Sequence, residues 1–329
     1  WNYKSYVLAL IIFAVSCSNT LVAKYYQPYF FSPVSSMLRT ASGNISLALG
    51  EWLYLIICIV LIISFVRWMI RALALFAIPS FWAKTFVQML NGLVSLYILF
   101  ELFWGLNYQK QSPAVDFEMD LPTSYTEAQM DSLSLDLIQK MNASRALLSD
   151  NLLQNLKVEG VFELTRAQYQ QAYLKYPFLH YRYPSLKQAS FPVWGDYLGY
   201  TAFYQPLTGE AIIRGDLPIL TQPFTVSHEM AHQLGYASET EANFIAFVIG
   251  VESIDPLFNY SMQLQLFTYA QQAQLNSIAK RGDYKYFQKI IARNKSLIHP
   301  KVLADRKQIR DFFTRKQDLQ LPGSTQLYD

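Results

Sequence analysis

The chain has 329 residues, of which 52% are hydrophobic, 16% aromatic and 16% charged, with two Cys and a formal net charge of +3. A typical soluble domain is about 25% charged, so this one is poor in charge. The apolar content excludes a disordered or collagen-like chain, and two cysteines exclude a disulfide scaffold.

The length suggests two domains, and Trp1 in place of Met reads as a trimmed N-terminus. Residues 1–105 carry six basic residues and two acidic ones, Glu51 and Glu101, a net of +4; residues 106–329 carry 21 and 22, a net of −1. The basic excess lies beside apolar runs and gives no support to nucleic-acid binding. Three runs approach the ~17–25 residues of a spanning helix. They are Tyr6 to Ala23, Leu47 to Val66 and Thr85 to Trp104. Glu51 sits near one end of the second, placed to snorkel to the interface. Gln88, Asn91 and Glu101 lie inside the third. Trp52, Trp68, Trp82 and Trp104 flank the runs as an aromatic belt does. The alternative for the first run is a secretory signal peptide, since Ala14 to Cys17 resembles a lipoprotein cleavage box. Continued apolar sequence to Ala23 favours a retained helix. Arg71 to Trp82 is expected to lie along the inner surface. Arg67, Arg71 and Lys84 between the second and third runs place that loop in the cytoplasm and residues 106–329 outside. Cys17 and Cys58 fall within apolar runs, so no disulfide serves the outer region.

Beyond Leu106 no run reaches spanning length. Gln109 to Pro122 reads as a polar linker. Thr126 to Leu148 has apolar residues at helical spacing, Thr165 to Leu174 reads as a second helix and Ser261 to Lys280 as another. Tyr176 to Tyr200, rich in Pro, Tyr and Gly, reads as irregular. Glu210 to Arg214 reads as a short strand after the turn signal Thr208-Gly209. Pro322 to Asp329 reads as a loop cut off in mid-domain.

Pro223 to Gly235 has proline near the start and glycine at the end of a helix. Inside it, His228 and His232 stand four residues apart on one helical face, and both imidazoles can ligate one metal ion. Glu229 lies between them as general base. Zinc suits nitrogen and carboxylate donors and lowers the pKa of its water to ~7. Two of the four His in the chain are here. A catalytic site needs a third ligand, and two glutamates compete. Ser238 and Glu241 have the spacing of a capping box, which gives Glu241 a structural role. Glu239 is then the expected ligand, Glu241 the alternative, and Asn243 the partner of a ligating His. The position six residues past His232 is Ser238, which disfavours a third-His ligand set. Tyr260, Tyr204 and His180 are candidates to stabilise an oxyanion, with Tyr200 and His299 behind them.

The pattern His228-Glu-Met-Ala-His232 followed by Glu239-x-x-Ala-Asn243 resembles the gluzincin metallopeptidases. The larger pattern is similar to a bacterial family of multi-pass membrane proteins of unknown function, domain of unknown function 3810. It includes Trp104-Gly-Leu-Asn-Tyr108, Pro206-Leu-Thr-Gly-Glu-Ala211 and Pro223-Phe-Thr. The resemblance implies a mainly α chain, with N-terminal transmembrane helices and a zincin-like α+β metallopeptidase domain with a small sheet. It also implies an inner-membrane location and a substrate-binding edge strand, for which Glu210 to Arg214 is the candidate. The expected domains are a transmembrane region, 1–105, and an extracytoplasmic peptidase-like domain, 106–329, truncated at its end. The expected function is zinc-dependent hydrolysis of a peptide or protein substrate at a lipid bilayer. The alternative is a membrane sensor or binding module with a structural or degenerate zinc site.

Overall fold

The computed structural model describes residues 3–120, 122 and 124–317. The loop expected at Pro322 to Asp329 lies outside the described residues. Helix α1 (Tyr3–Ser16) has 14 residues, after which the chain bends by 100° into the segment Asn19–Gly43. That segment is wound as a π-helix over Val22–Phe31, where Pro28 lacks the N–H that an α ladder requires. It continues as α2 (Ser32–Gly43). The first apolar run is therefore not one straight span. At 1.5 Å per residue α1 is ~21 Å long, short of the ~30 Å hydrocarbon core. Two helices are long and apolar enough to cross a membrane: α3 (Leu49–Ala74) and α4 (Pro79–Phe103), with the bent pair as a third if it counts as one span. Side chains such as Ile56, Val60, Ile62 and Phe86 stand exposed along them, which suits hydrocarbon and not water.

The segment Arg71 to Trp82 is not a separate element. It forms the end of α3, a tight turn closed by the Ile78 N–H donating to the Leu75 carbonyl, and the start of α4. Arg67, Arg71 and Lys84 thus gather at one end of a helical hairpin. Helix α1 packs along α4, where the Tyr6 hydroxyl donates to Asn91 Oδ1 at 2.9 Å. Glu51 does not snorkel. It is fully buried, and its Oε2 accepts from the backbone amides of Ser190 (2.5 Å) and Phe191 (3.2 Å). The N-terminus of α3 is held more firmly still. Glu210 accepts from the amides of Leu49 (3.0 Å) and Gly50 (2.6 Å), which otherwise lack partners at a helix start. Residues from the N-terminal third thereby pack into the C-terminal region, across the boundary at 105 that composition suggests. Ser42, for example, shares a 2.8 Å hydrogen bond with Ser185.

Among the described residues, eight helices build most of the remainder, besides the short helical stretches Pro113–Asp116 and Asp150–Asn155. They are α5 (Glu127–Ala146), α6 (Val158–Lys175), the short α7 (Pro192–Leu198), α8 (Gln222–Gln233), α9 (Glu239–Val251), α10 (Pro256–Lys280), α11 (Tyr284–Leu297) and α12 (Pro300–Gln317). Helix α5 starts at a capping box formed by Thr126 and Gln129. The expected linker is not loose. It contains a helical turn, Pro113–Asp116, and Lys110 donates to the Leu234 carbonyl at 2.8 Å while lying 3.6 Å from the Tyr236 ring centroid. The stretch expected to be irregular contains β1 (Leu186–Gln188) and α7. With β2 (Ala202–Gln205) and β3 (Glu210–Ile213), β1 forms a sheet of order β1-β3-β2, parallel between β1 and β3 and antiparallel between β3 and β2. The strand expected at Glu210 to Arg214 exists, but at the centre. All four of its residues are buried and both its edges are paired, so it cannot add a peptide.

One apolar core joins β3, α6, α8 and α9 through residues including Val161, Tyr169, Ile213, Met230 and Ile245; another joins α5 to α10 and α12 through Leu137, Met141, Phe267 and Val302. The first core fixes the metal-motif helix. Ser227, Met230 and Ala231 of α8 are wholly buried, and the Tyr169 hydroxyl donates to the Ser227 carbonyl at 2.7 Å.

Candidate metal centre

Helix α8 ends where Gly235 adopts φ +85°, the left-handed conformation glycine takes at helix ends. A Cβ there would also lie 2.6 Å from the Phe31 ring, so the position excludes a side chain twice over. This sharp stop lets the chain reverse within five residues and start α9 at Glu239. Ser238 is the N-cap of α9, but its side chain makes no capping bond, so the capping box inferred for Ser238 and Glu241 is not formed. Glu241 faces Lys110 and Asp116 instead. Burial holds the Lys110 ammonium down at about 8, against the pull of those two carboxylates.

His228, His232 and Glu239 each offer a ligand atom, and those atoms lie within 4.8 Å of one another. The two Nε2 atoms are 2.9 Å apart. Glu239 Oε2 is 3.1 Å from His228 Nε2, and its Oε1 is 3.4 Å from His232 Nε2. Each imidazole is oriented by its other nitrogen. His232 Nδ1 lies 2.6 Å from the Tyr236 carbonyl, which only accepts, so Nδ1 carries the proton. His228 Nδ1 lies 2.8 Å from Asn243 Oδ1, the contact expected of Asn243. Both Nε2 lone pairs then face each other and a carboxylate, an arrangement that repels unless a cation lies between. The donor set fits zinc, which takes imidazole nitrogen and carboxylate oxygen.

Glu229 is 5% exposed, and its Oε2 has no hydrogen-bond partner among the described residues. Burial pushes its carboxyl up, with the neighbouring imidazoles opposing. For Glu239, burial also raises the carboxyl, but the close contact with the two imidazoles prevails and holds it well below the usual carboxylate range. All four side chains open on a cleft of about 630 Å³, which Gly199 to Tyr204, in β2 and the loop before it, also line. No fourth His, Cys, Asp or Glu joins the cluster among the described residues.

The expected oxyanion candidates fare unevenly. Tyr260 is buried in the second core with its hydroxyl on Asp305 Oδ2 at 2.8 Å, away from the cleft. His180 stacks on Tyr173 at 4.4 Å and accepts from Arg182 Nε at 2.8 Å, also away from it. His299 accepts from the Lys301 amide. Tyr204 and Tyr200 do line the cleft. Three further cleft tyrosines were not among these candidates, Tyr269 on α10, Tyr108, and Tyr54 on α3, all exposed. Sequence also missed Gln233, buried beside His232. Its amide donates to the carbonyls of Ser185 (3.0 Å) and Gly209 (2.7 Å), tying α8 to the sheet. Polar and apolar residues are mixed along α8, and several of its polar residues are buried, so no local signal marks Gln233. Trp104, expected in an interfacial belt, stands 5.5 Å from His232 and 5.3 Å from Tyr204.

A family model described as Protein of unknown function (DUF3810) matches residues 26–329. No curated protein and no solved structure matches the chain. The family model takes in Trp104, Asn107, Gly209, Gly235 and the whole metal-type cluster, and the chain belongs to the DUF3810 family.

Proposed function

We propose that the protein is a membrane-anchored zinc peptidase of the gluzincin type, with zinc held by His228, His232 and Glu239. The observation that carries this reading is the convergence of three metal-type donors beside buried Glu229, whose Oε2 has no partner among the described residues, on an open cleft. Zinc bound there would polarise water and the scissile carbonyl. Glu229 takes the proton from the attacking water and delivers it to the amine nitrogen as the C–N bond breaks. The outer edge of β2 has no strand partner among the described residues. It offers backbone groups to an extended substrate, the role that β3 cannot fill. Tyr269 and Tyr108, exposed tyrosines that line the same cleft, are the proposed oxyanion stabilisers. A site walled by three protein donors and open to a cleft favours hydrolysis over a closed structural site.

Topology follows from the hairpin. The cluster Arg67, Arg71 and Lys84 marks the cytoplasmic end, and the metal cleft lies at the other end of α3 and α4, where Tyr54 and Trp104 line it. The cleft then faces the extracytoplasmic side of a bacterial inner membrane.

Metal analysis tests the ligand set. Purified wild-type protein is expected to hold one zinc per chain. Glu239→Ala should weaken zinc affinity more than ~100-fold, Asn243→Ala ~10–100-fold, and Glu241→Ala little. Greater loss in Glu241→Ala than in Glu239→Ala would reassign the third ligand.

A further inference from the structure

The apolar helices fix the height of the metal cleft. Tyr54 on α3, Phe100 on α4 and Trp104, the residue after α4, all line it. A helix crosses the hydrocarbon core in about 20 residues. Counting that many back from Arg71 reaches Glu51 on α3, and counting that many on from Lys84 reaches Trp104. The two arms of the hairpin thus put the outer edge of the hydrocarbon at one place, beside the cleft. Exposed aromatic residues mark the same level: Trp52 and Tyr54 near the start of α3 and Phe100 near the end of α4. The Trp104 ring lies 5.5 Å from that of His232, and a headgroup layer is about 5–8 Å thick. The ligand cluster therefore stands at headgroup level.

The walls of the cleft select what it accepts. Ten of the lining residues are Phe, Tyr or Trp. Besides the two imidazoles, the only ionisable carboxylates or cations lining it among the described residues are Glu229 and Glu239. Both are occupied in hydrolysis, one with the proton and the other with the metal. A substrate's terminal ammonium or carboxylate would enter such a site without a partner, which desolvation opposes. The walls instead suit an internal bond flanked by uncharged, apolar residues.

We propose that the substrate is a membrane-anchored polypeptide, cut at an internal bond in the apolar segment just outside its own span. The proposal rests on the peptidase reading and assigns its substrate class. A bond in that segment is already at the height of the metal. A bond far out along the chain has to fold back to the bilayer surface, and the entropy of closing that loop opposes it. Water's oxygen bonds to the scissile carbonyl carbon, the C–N bond breaks, and the amine leaves with the proton carried by Glu229. The span of the substrate stays in the bilayer.

The test uses the full chain in proteoliposomes and has two parts. Height is read without activity. Tyr108→Cys, in a chain that also carries Cys17→Ser and Cys58→Ser, takes a fluorophore on the cleft wall. A nitroxide on the lipid headgroup should quench it more strongly than one at mid-chain. Quenching by neither, or stronger quenching from mid-chain, would overturn the proposal. Turnover is then measured on single-span polypeptides that carry one apolar, uncharged cassette after about 4 or about 40 flexible residues. The short spacer should give a kcat/KM about 30-fold above the long one, as effective concentration falls with roughly the −3/2 power of spacer length. An equal or higher rate with the long spacer would overturn the substrate assignment while leaving the peptidase reading intact. Placing Lys or Asp on both sides of the scissile bond, at the short spacer, should lower the rate at least about tenfold. An unchanged rate there would also overturn the assignment. Headgroup quenching with no cleavage of any polypeptide by zinc-loaded protein would overturn the peptidase reading and this proposal together.

Discussion

Glu229→Gln should lower kcat/KM for peptide hydrolysis by about 10²–10⁴-fold while zinc content stays at the wild-type level. The expectation follows from placement. Glu229 shares α8 with both imidazoles but is not one of the three clustered donors, and its Oε2 has no other task among the described residues. Glutamine keeps the shape and one oxygen but cannot take a proton. The loss should appear in kcat more than in KM, because proton transfer belongs to the transition state. Single-turnover kinetics with metal analysis on the same preparation checks both halves. Loss of zinc together with activity would assign Glu229 a ligand role instead.

The second large effect is on stability. Glu210→Ala should destabilise the protein by about 3 kcal/mol, through loss of charge-assisted hydrogen bonds to two helix-start amides that stay buried. Glu210 is fully buried on the central strand and also accepts from Thr208 Oγ1 at 2.8 Å. The change should loosen α3 from the sheet, since Gly50 packs against Gln205 and Ile212 there. Thermal unfolding in detergent measures it, with Thr208→Val as the smaller comparison. A melting temperature unchanged in Glu210→Ala would mean the sheet does not anchor the spanning hairpin.

These two residues show what was legible in the sequence. The metal motif was readable because its chemistry depends on local spacing: His228, Glu229 and His232 are fixed by one helix, and proline and glycine mark its ends. Glu239 was reached by a faulty step. The capping box that set Glu241 aside does not form, and what separates the two glutamates is that the Gly235 turn aims Glu239 at the imidazoles while Glu241 turns toward Lys110. Helices α5, α6 and α10 were legible from periodicity, and the two long apolar helices from hydropathy. Pairing was not. A run of four buried residues does not reveal whether its strand is central or at an edge, so β3 was given the role open to β2. Nor did composition reveal that Glu210 joins the start of α3 to the sheet and Glu51 joins it to the chain after β1, because both bonds span more than a hundred residues. The cleft tyrosines failed for a related reason. With 23 Tyr in the chain, only the fold separates Tyr269 and Tyr108 from Tyr260.

The most direct measurement is a peptide-library digest with the purified full chain, in the presence of zinc, after chelation, and after zinc is restored. Cleavage products should appear, vanish with chelator and return with zinc. Cleavage that persists in metal-depleted protein, or a complete absence of products from zinc-loaded protein, would contradict a zinc peptidase built on His228, His232 and Glu239.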